Sequence, residues 1–145
     1  MMWVRQLGPA VAQMFGTSRL VIIFTAAGVC GFALSALLGS ELTLGASGAI
    51  FGLLAAAIEY GRRVGAQLFT RQFLQWAVIL FVFGLVVPNV DNFAHAGGFA
   101  GGYGAAFLMG RSHGEEGPGT HLAAGLCVLA TLAAFARQAV AVFLG

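Results

Sequence analysis

Two short glycine-rich motifs carry the side chains of this chain that are capable of joint chemistry: Gly45-Ala46-Ser47-Gly48 and, further along, His95-Ala96-Gly97-Gly98. Both lie in strongly apolar sequence, where polar and ionisable side chains are expensive and usually functional. A neutral imidazole can accept the proton of a serine hydroxyl at physiological pH, which converts a poor nucleophile into a reactive one. Ser47 and His95 are therefore candidates for a catalytic pair.

Ser47 also admits a plainer interpretation. Gly48 and Gly52 form a small-xxx-small step, which is typical of packed membrane helices, and serine is common at such contacts. If Ser47 instead begins a helix, its backbone N–H is available to an oxyanion, with the positive end of the helix dipole behind it. The Gly-x-Ser-x-Gly motif of soluble hydrolases is not matched, because Ala49 lies two residues after the serine.

His95 is followed by Gly97, Gly98, Gly101 and Gly102, which form two overlapping Gly-xxx-Gly steps. Such steps allow two helices to approach until their side chains can hydrogen-bond to each other. The alternative is that His95 lies near the membrane surface and extends its ring into the interface.

Three further residues are placed where they can assist. Asp91 precedes His95 by one helical turn and would orient the imidazole if it were the acid of a triad. We favour the plainer interpretation that Asp91 or Asn92 caps the start of the helix. Phe51 follows Ser47 by one turn. Its default role is packing against a neighbouring helix, and it would stack on the imidazole if His95 is adjacent.

The composition indicates an integral membrane protein in contact with the lipid bilayer. The chain has 145 residues, of which 59% are hydrophobic and 8% are charged, and its mean hydropathy is +0.91. A soluble domain of this size needs many more surface charges. The net charge of +2 is too small to indicate a nucleic-acid partner. Cys30 and Cys127 lie in apolar runs as small hydrophobic residues, and no spacing predicts a metal or another cofactor.

Hydropathy predicts an all-α membrane protein, a polytopic bundle of transmembrane helices. One weaker segment, 73–87, is short for a span and is ended by Pro88. Residues 1–15 resemble the end of a further helix. The four long segments are 20–38, 42–60 with the serine, 93–110 with the histidine, and 122–144.

The arginines predict the orientation of these spans. Five arginines fall in alternate connecting segments, including the loop 61–72, whereas the segments between them contain Glu41 and Asp91 and no basic residue. Because positive residues favour the cytoplasmic side, the 61–72 loop is predicted to be cytoplasmic. Ser47 and His95 then each lie about five residues, or roughly 7 Å, inside the outer ends of their spans. Two independent counts thus predict a similar depth for the two groups.

The two motifs, together with Phe15-Gly16-Thr17-Ser18-Arg19 and Val90-Asp91-Asn92, resemble the rhomboid family of intramembrane serine proteases. The resemblance covers residues 1–112, a partial rhomboid-like core. It leaves residues 113–121 as a cytoplasmic loop and residues 122–145 as an additional C-terminal transmembrane helix.

The resemblance implies a role for each site residue. Ser47 would be the nucleophile and His95 the general base, in a dyad without a third acid. Phe51 occupies the position of an aromatic residue that packs on the histidine, and the N–H of Ser47 would supply part of the oxyanion hole. Close packing around the site would depend on Gly45, Gly48 and Gly98.

The family core has six helices, and a histidine and an asparagine on its second helix complete the oxyanion hole. These 145 residues begin near the end of that helix, so we expect either a fragment or a truncated homologue. The predicted function is a serine endopeptidase of a bacterial inner membrane that cleaves transmembrane protein substrates near the outer face. One alternative is a catalytically impaired pseudoprotease that binds membrane protein clients. Another, a transport or channel component, is disfavoured because the spans show neither an inverted repeat nor a ring of charges.

Overall fold

The structure, a computed structural model, describes residues 2–38, 46–88, 90–111 and 115–144. The described residues form six α-helices joined by short connections, which confirms the predicted all-α class. The helices are α1 (Met2–Phe15), α2 (Thr17–Leu38), α3 (Ser47–Arg63), α4 (Gln67–Val86), α5 (Asn92–Arg111) and α6 (Pro118–Leu144).

Helix α3 lies at the centre of the bundle. Every residue from Phe51 to Glu59 is buried, and α1, α2, α4 and α5 all pack against this helix. The alanines at positions 55–57 permit this packing, because short side chains let neighbouring helices approach from several sides. Leu53 and Leu54 are almost completely buried and join α3 to apolar side chains of the surrounding helices in one core cluster.

The glycines of α5 contact two different helices. A Cβ atom on Gly98 or Gly102 would overlap the backbone of α3, at Gly48 and Gly52 respectively. A Cβ atom on Gly97 would instead lie 2.5 Å from a backbone carbonyl oxygen of α2. The two overlapping glycine steps therefore serve two separate interfaces, and both interfaces bring helix backbones into direct contact.

Helix α4 is longer than hydropathy predicted. It begins at Gln67 rather than Phe73 and has 20 residues, because Arg71 and its polar neighbours form the first turns of the helix instead of a loop. The loop predicted over 61–72 is consequently reduced to a short turn between α3 and α4. At this turn Gly65 has a φ of 75°, a conformation that favours glycine.

Within the described residues, three helices are long and apolar enough to cross a membrane by composition alone: α2, α4 and most of α6. The predicted spans around Ser47 and His95 do not meet this criterion. Helix α3 has 17 residues as described, and α5 is rich in glycine and carries polar groups. Neighbouring helices cover much of both, so lipid contact does not dictate their composition. These three apolar helices support the prediction of an integral membrane protein.

Helix α6 begins at Pro118 rather than at Leu122, the start of the predicted span. Proline is favoured in the first turn of a helix, where its missing N–H removes no intrahelical hydrogen bond. Residues 118–121, predicted as part of a cytoplasmic loop, are therefore helical, whereas residues 112–114 lie outside the described part of the chain.

Helix α6 packs on α2 and is joined to its first turn by polar contacts. The Glu116 carboxylate accepts the backbone N–H of Arg19 at 2.8 Å, and the Ser18 hydroxyl lies 2.6 Å from Nδ1 of His121. Gly16 ends α1 and starts this turn with a φ of 96°. Most of the remaining length of α6 is exposed on the outside of the bundle.

Candidate active site

Ser47 is the first residue of α3 and is half-buried, while residues 42–45, the start of the predicted span, lie outside the described residues. The preceding residue, Ala46, provides no side-chain cap. The first backbone hydrogen bond of the helix runs from Ile50 N to Ala46 O, at 3.0 Å. The amides of Ser47, Gly48 and Ala49 therefore have no carbonyl partner within α3. The start of α3 presents these donors and the positive end of its dipole beside the serine.

His95 is the fourth residue of α5 and is only 6% exposed. Its ring Nδ1 lies 3.2 Å from the side-chain oxygen of Asn92, one turn earlier. Because an amide oxygen can only accept a hydrogen bond, this contact is satisfied by the tautomer in which Nδ1 carries the ring proton and Nε2 keeps its lone pair. This tautomer is the one that can take a proton from a hydroxyl through Nε2.

Phe51 stacks on the imidazole of His95. The ring centroids are 4.3 Å apart and the ring planes differ by 18°. Phe51 follows Ser47 by one turn of α3, so their side chains project from the same face of the helix, and that face is turned towards α5. Ser47 thus lies one helical turn from the residue whose ring stacks on His95.

The helices around the site touch through their backbones. A Cβ atom on Gly48 would lie 2.9 Å from the carbonyl oxygen of Ala94 in α5, and one on Gly31 of α2 would lie 2.7 Å from the same oxygen. Glycine is required at both positions, because a side chain would push the helices apart. Gly48 and Gly98 both lie at close contacts between helix backbones. Gly45 lies outside the described residues.

Asp91 caps the start of α5, as the plainer of the two interpretations predicted. Its Oδ1 accepts the backbone N–H of Ala94 at 2.9 Å, and its Oδ2 accepts the hydroxyl of Ser35 in α2. The side chain that hydrogen-bonds to the imidazole is that of Asn92. Sequence reasoning missed Ser35 altogether, because a single serine in an apolar span has no distinguishing pattern.

The remaining polar candidates belong to other parts of the bundle. Glu59 is buried and lies 3.4 Å from Arg63, one turn later. Among the described residues, no three histidines, cysteines or acidic groups are placed to hold a metal ion. The chemistry available at the site thus comes from Ser47, His95 and the backbone donors at the start of α3.

Residues 1–112 match the Rhomboid domain family. The chain is 36% identical over 108 residues to rhomboid protease GluP of Bacillus subtilis and 35% identical over 112 residues to RHOMBOID-like protein 7 of Arabidopsis thaliana. It is 30% identical over 113 residues to Rhomboid-type serine protease 2 of Emericella nidulans. These alignments cover 72%, 73% and 73% of this chain, but 21%, 36% and 22% of the respective relatives. No solved structure matches the chain significantly.

Proposed function

The chain belongs to the rhomboid family, and on that premise we propose that it carries the dyad of an intramembrane serine endopeptidase. The proposed reaction is hydrolysis of a peptide bond in a transmembrane protein substrate, near the outer membrane face. One observation carries the proposal. Ser47, at the uncapped start of α3, shares a helix face with Phe51, and the Phe51 ring stacks on the buried imidazole of His95.

In the first half of the reaction, Ser47 Oγ attacks the substrate carbonyl carbon while Nε2 of His95 takes the hydroxyl proton. The carbonyl oxygen becomes an oxyanion, and the N–H of Ser47 donates to it at the positive end of the α3 dipole. When the tetrahedral intermediate collapses, the C–N bond breaks and the imidazolium gives its proton to the leaving amine. The products are an ester on Ser47 and a new amino terminus.

In the second half, a water molecule attacks the ester carbonyl and His95 takes its proton through the same nitrogen. Collapse of the second intermediate breaks the ester bond, and the proton returns to Ser47 Oγ. Throughout both halves, the hydrogen bond from Nδ1 to Asn92 keeps Nε2 as the nitrogen that exchanges the proton. The stacked Phe51 ring limits rotation of the imidazole away from Ser47.

We propose that the helix ends rich in arginine face the cytoplasm, in a bacterial inner membrane. Arg19 is in the first turn of α2, Arg62 and Arg63 end α3, and Arg71 is in the first turns of α4. Helices joined by short connections run antiparallel, which supports a common side for these ends. The start of α3, with Ser47, is at the opposite end and would therefore lie near the outer face.

The chain spans about a fifth to a third of the length of these relatives. We therefore propose the activity for a protein that contains the full family core. The resemblance implies that a histidine and an asparagine on the second core helix complete the oxyanion hole. One such donor is worth a factor of about 10² to 10³ in rate, so full reactivity is expected only where those donors are present.

The test is labelling of Ser47 by a fluorophosphonate probe in a protein with the full core. Ser47→Ala and His95→Ala should each abolish labelling, with helix content unchanged by circular dichroism. The chain offers a matched control, because Ser18 and His121 form a hydrogen-bonded serine–histidine pair, 2.6 Å apart, at the end of α2 away from Ser35. Ser18→Ala and His121→Ala should leave the labelling of Ser47 intact.

Two outcomes would contradict the proposal. Equal labelling of the wild type and His95→Ala would remove the dyad and favour the alternative function, a protein that binds membrane clients without cleaving them. Labelling that is lost in Ser18→Ala but retained in Ser47→Ala would assign the nucleophile to the opposite end of the bundle.

A further inference from the structure

We propose that Ser35 and Asp91 are positioning residues that fix the place of His95 along the bundle relative to Ser47. The inference rests on the proposed function, because it identifies what holds the general base of that dyad. Both residues act through the start of α5 and not on the reacting atoms.

The first observation is a hydrogen bond between helices. Ser35 lies on α2 and is 1% exposed, and its hydroxyl donates to Oδ2 of Asp91 at the start of α5. A buried hydroxyl without a partner is destabilising, so this pairing favours one arrangement of the two helices. The hydroxyl of Thr25, also on α2, donates to the carbonyl oxygen of Val21 at 2.9 Å. This hydrogen bond lies within α2 and does not join it to another helix.

The second observation is that Asp91 holds the backbone on the N-terminal side of the histidine. Its Oδ1 accepts the N–H of Ala94 at 2.9 Å, and its own carbonyl oxygen accepts the N–H of His95 at 3.2 Å. Asp91 is thus hydrogen-bonded to two consecutive amides, the second of which belongs to the histidine. A displacement of the Asp91 carboxylate is passed directly to the Cα atom of His95.

The third observation explains why this bond is needed. Gly31 and Ser35 lie one turn apart on the same face of α2, and Gly31 contacts the carbonyl oxygen of Ala94 from one side while Gly48 of α3 contacts it from another. Glycine contacts fix how closely helices approach, but a smooth backbone surface does little to oppose sliding along the helix axis. The hydrogen bond from Ser35 to Asp91 is directional and opposes that sliding.

The required precision sets the size of the effect. A general base must come within about 2.6–3.2 Å of the proton donor. A misplacement of about 1 Å is enough to lower a rate by roughly 100-fold. Because substrate binding does not involve Ser35 in this mechanism, its loss should lower kcat and leave KM nearly unchanged.

The experiment uses a protein with the full family core and compares Ser35→Ala, Asp91→Ala, Asp91→Asn and the matched control Thr25→Val. For the two alanine variants we expect kcat to fall by roughly 10- to 100-fold. The rate of probe labelling at Ser47 should fall by a similar factor. Asp91→Asn should keep most of the rate, because an amide can cap Ala94 through its oxygen and donate to Ser35 through its nitrogen. Thr25→Val should match the wild type.

The double variant Ser35→Ala/Asp91→Ala separates positioning from general destabilisation. If the pair acts as one unit, Ser35→Ala should have no further effect on kcat in the Asp91→Ala background. Independent effects that multiply, or an Asp91→Asn variant as slow as Asp91→Ala, would overturn the inference. So would a wild-type kcat in Ser35→Ala.

A second readout does not depend on catalysis. Diethylpyrocarbonate modifies accessible imidazoles, and peptide mass spectrometry identifies the modified histidine. His95 should be modified faster in Ser35→Ala than in the wild type or in Thr25→Val, because the start of α5 is released. If Ser47 proves unreactive in the wild type, the proposed function fails, while this comparison still decides the positioning role. Equal modification rates would overturn it.

Discussion

The imidazole of His95 is held by contacts of three different kinds. The side-chain oxygen of Asn92 lies within hydrogen-bond distance of Nδ1, the Phe51 ring covers one face, and the carbonyl oxygen of Asp91 accepts the N–H of His95. In this arrangement the hydrogen bond to the ring comes from a neutral amide, so orientation does not require burying a carboxylate directly on the imidazole. Desolvating such an ion pair would be expensive within a membrane bundle.

Asn92→Ala tests the part of this arrangement that fixes the tautomer. Without the amide oxygen, Nδ1 loses the partner to which it donates and the ring can rotate or exchange tautomers. We expect kcat to fall by roughly 10- to 100-fold with little change in KM. Folding should be retained, because Asp91 still caps α5. The measurement is steady-state cleavage of a transmembrane substrate, with Gln72→Ala, an exposed amide on α4, as the control. An unchanged kcat would mean that Asn92 does not determine the reactive nitrogen.

The residues of the site differ in how far sequence alone could identify them. Ser47 and His95 stand out because polar groups are rare in apolar sequence and both lie among glycines, and helical spacing then selects Phe51. Ser35 could not be found in this way. Its partner Asp91 is 56 residues away, and α2 is apolar on all sides, so its hydropathy does not indicate which face meets α5. Contacts between helices of this kind depend on rotations that hydropathy leaves undetermined.

At the scale of the helices, glycines allow the backbones to approach closely. A few polar hydrogen bonds fix the position of one helix relative to another. The sequence predicted the two glycine steps of α5 but not that Gly98 would face α3 while Gly97 faces α2. The ends of helices were also predicted poorly where polar residues are helical, as in the first turns of α4. Hydropathy detects apolar runs, and the polar residues of these turns interrupt the run without ending the helix.

Gly98→Ala tests the contact between α3 and α5. A Cβ atom at this position would overlap the backbone of Gly48, which cannot move aside as a flexible side chain can. We expect destabilisation of about 1–3 kcal/mol, typical of overpacking, together with loss of probe labelling at Ser47. The measurement is the unfolding midpoint in mixed detergent, where the variant should unfold earlier than the wild type.

Gly104→Ala is the matched control for this contact, because it makes the same change in the same helix where a Cβ atom would have no neighbour within 4 Å. It should stabilise the protein by up to about 1 kcal/mol through helix propensity alone. Equal unfolding midpoints for Gly98→Ala and Gly104→Ala would show that the helices do not touch at Gly98.

At the scale of the whole molecule, α2 connects the two ends of the bundle. Ser35 meets the start of α5 at one end, and Ser18 meets His121 of α6 at the other. The two serines are 17 residues apart, or about 26 Å along the helix. Residues 115–144 lie beyond the region that matches the family, yet α6 is held on the family core through Glu116 and His121. The candidate site and the arginine-rich helix ends thus occupy opposite ends of one connected bundle.

The orientation of that bundle in the membrane is tested by cysteine accessibility. In a background with Cys30→Ala and Cys127→Ala, single cysteines are introduced as Val64→Cys, in the turn between α3 and α4, and as Glu41→Cys, in the segment before Ser47. If the arginine-rich ends are cytoplasmic, a membrane-impermeant maleimide added to intact cells should label position 41 and leave position 64 unlabelled. Both cysteines should react after permeabilisation, which controls for burial, since Val64 is exposed in the folded protein. Labelling of position 64 alone in intact cells would show that the bundle has the opposite orientation in the membrane. It would then place Ser47 near the cytoplasmic face and predict cleavage of substrates at their inner ends, while leaving the geometry of the site unchanged.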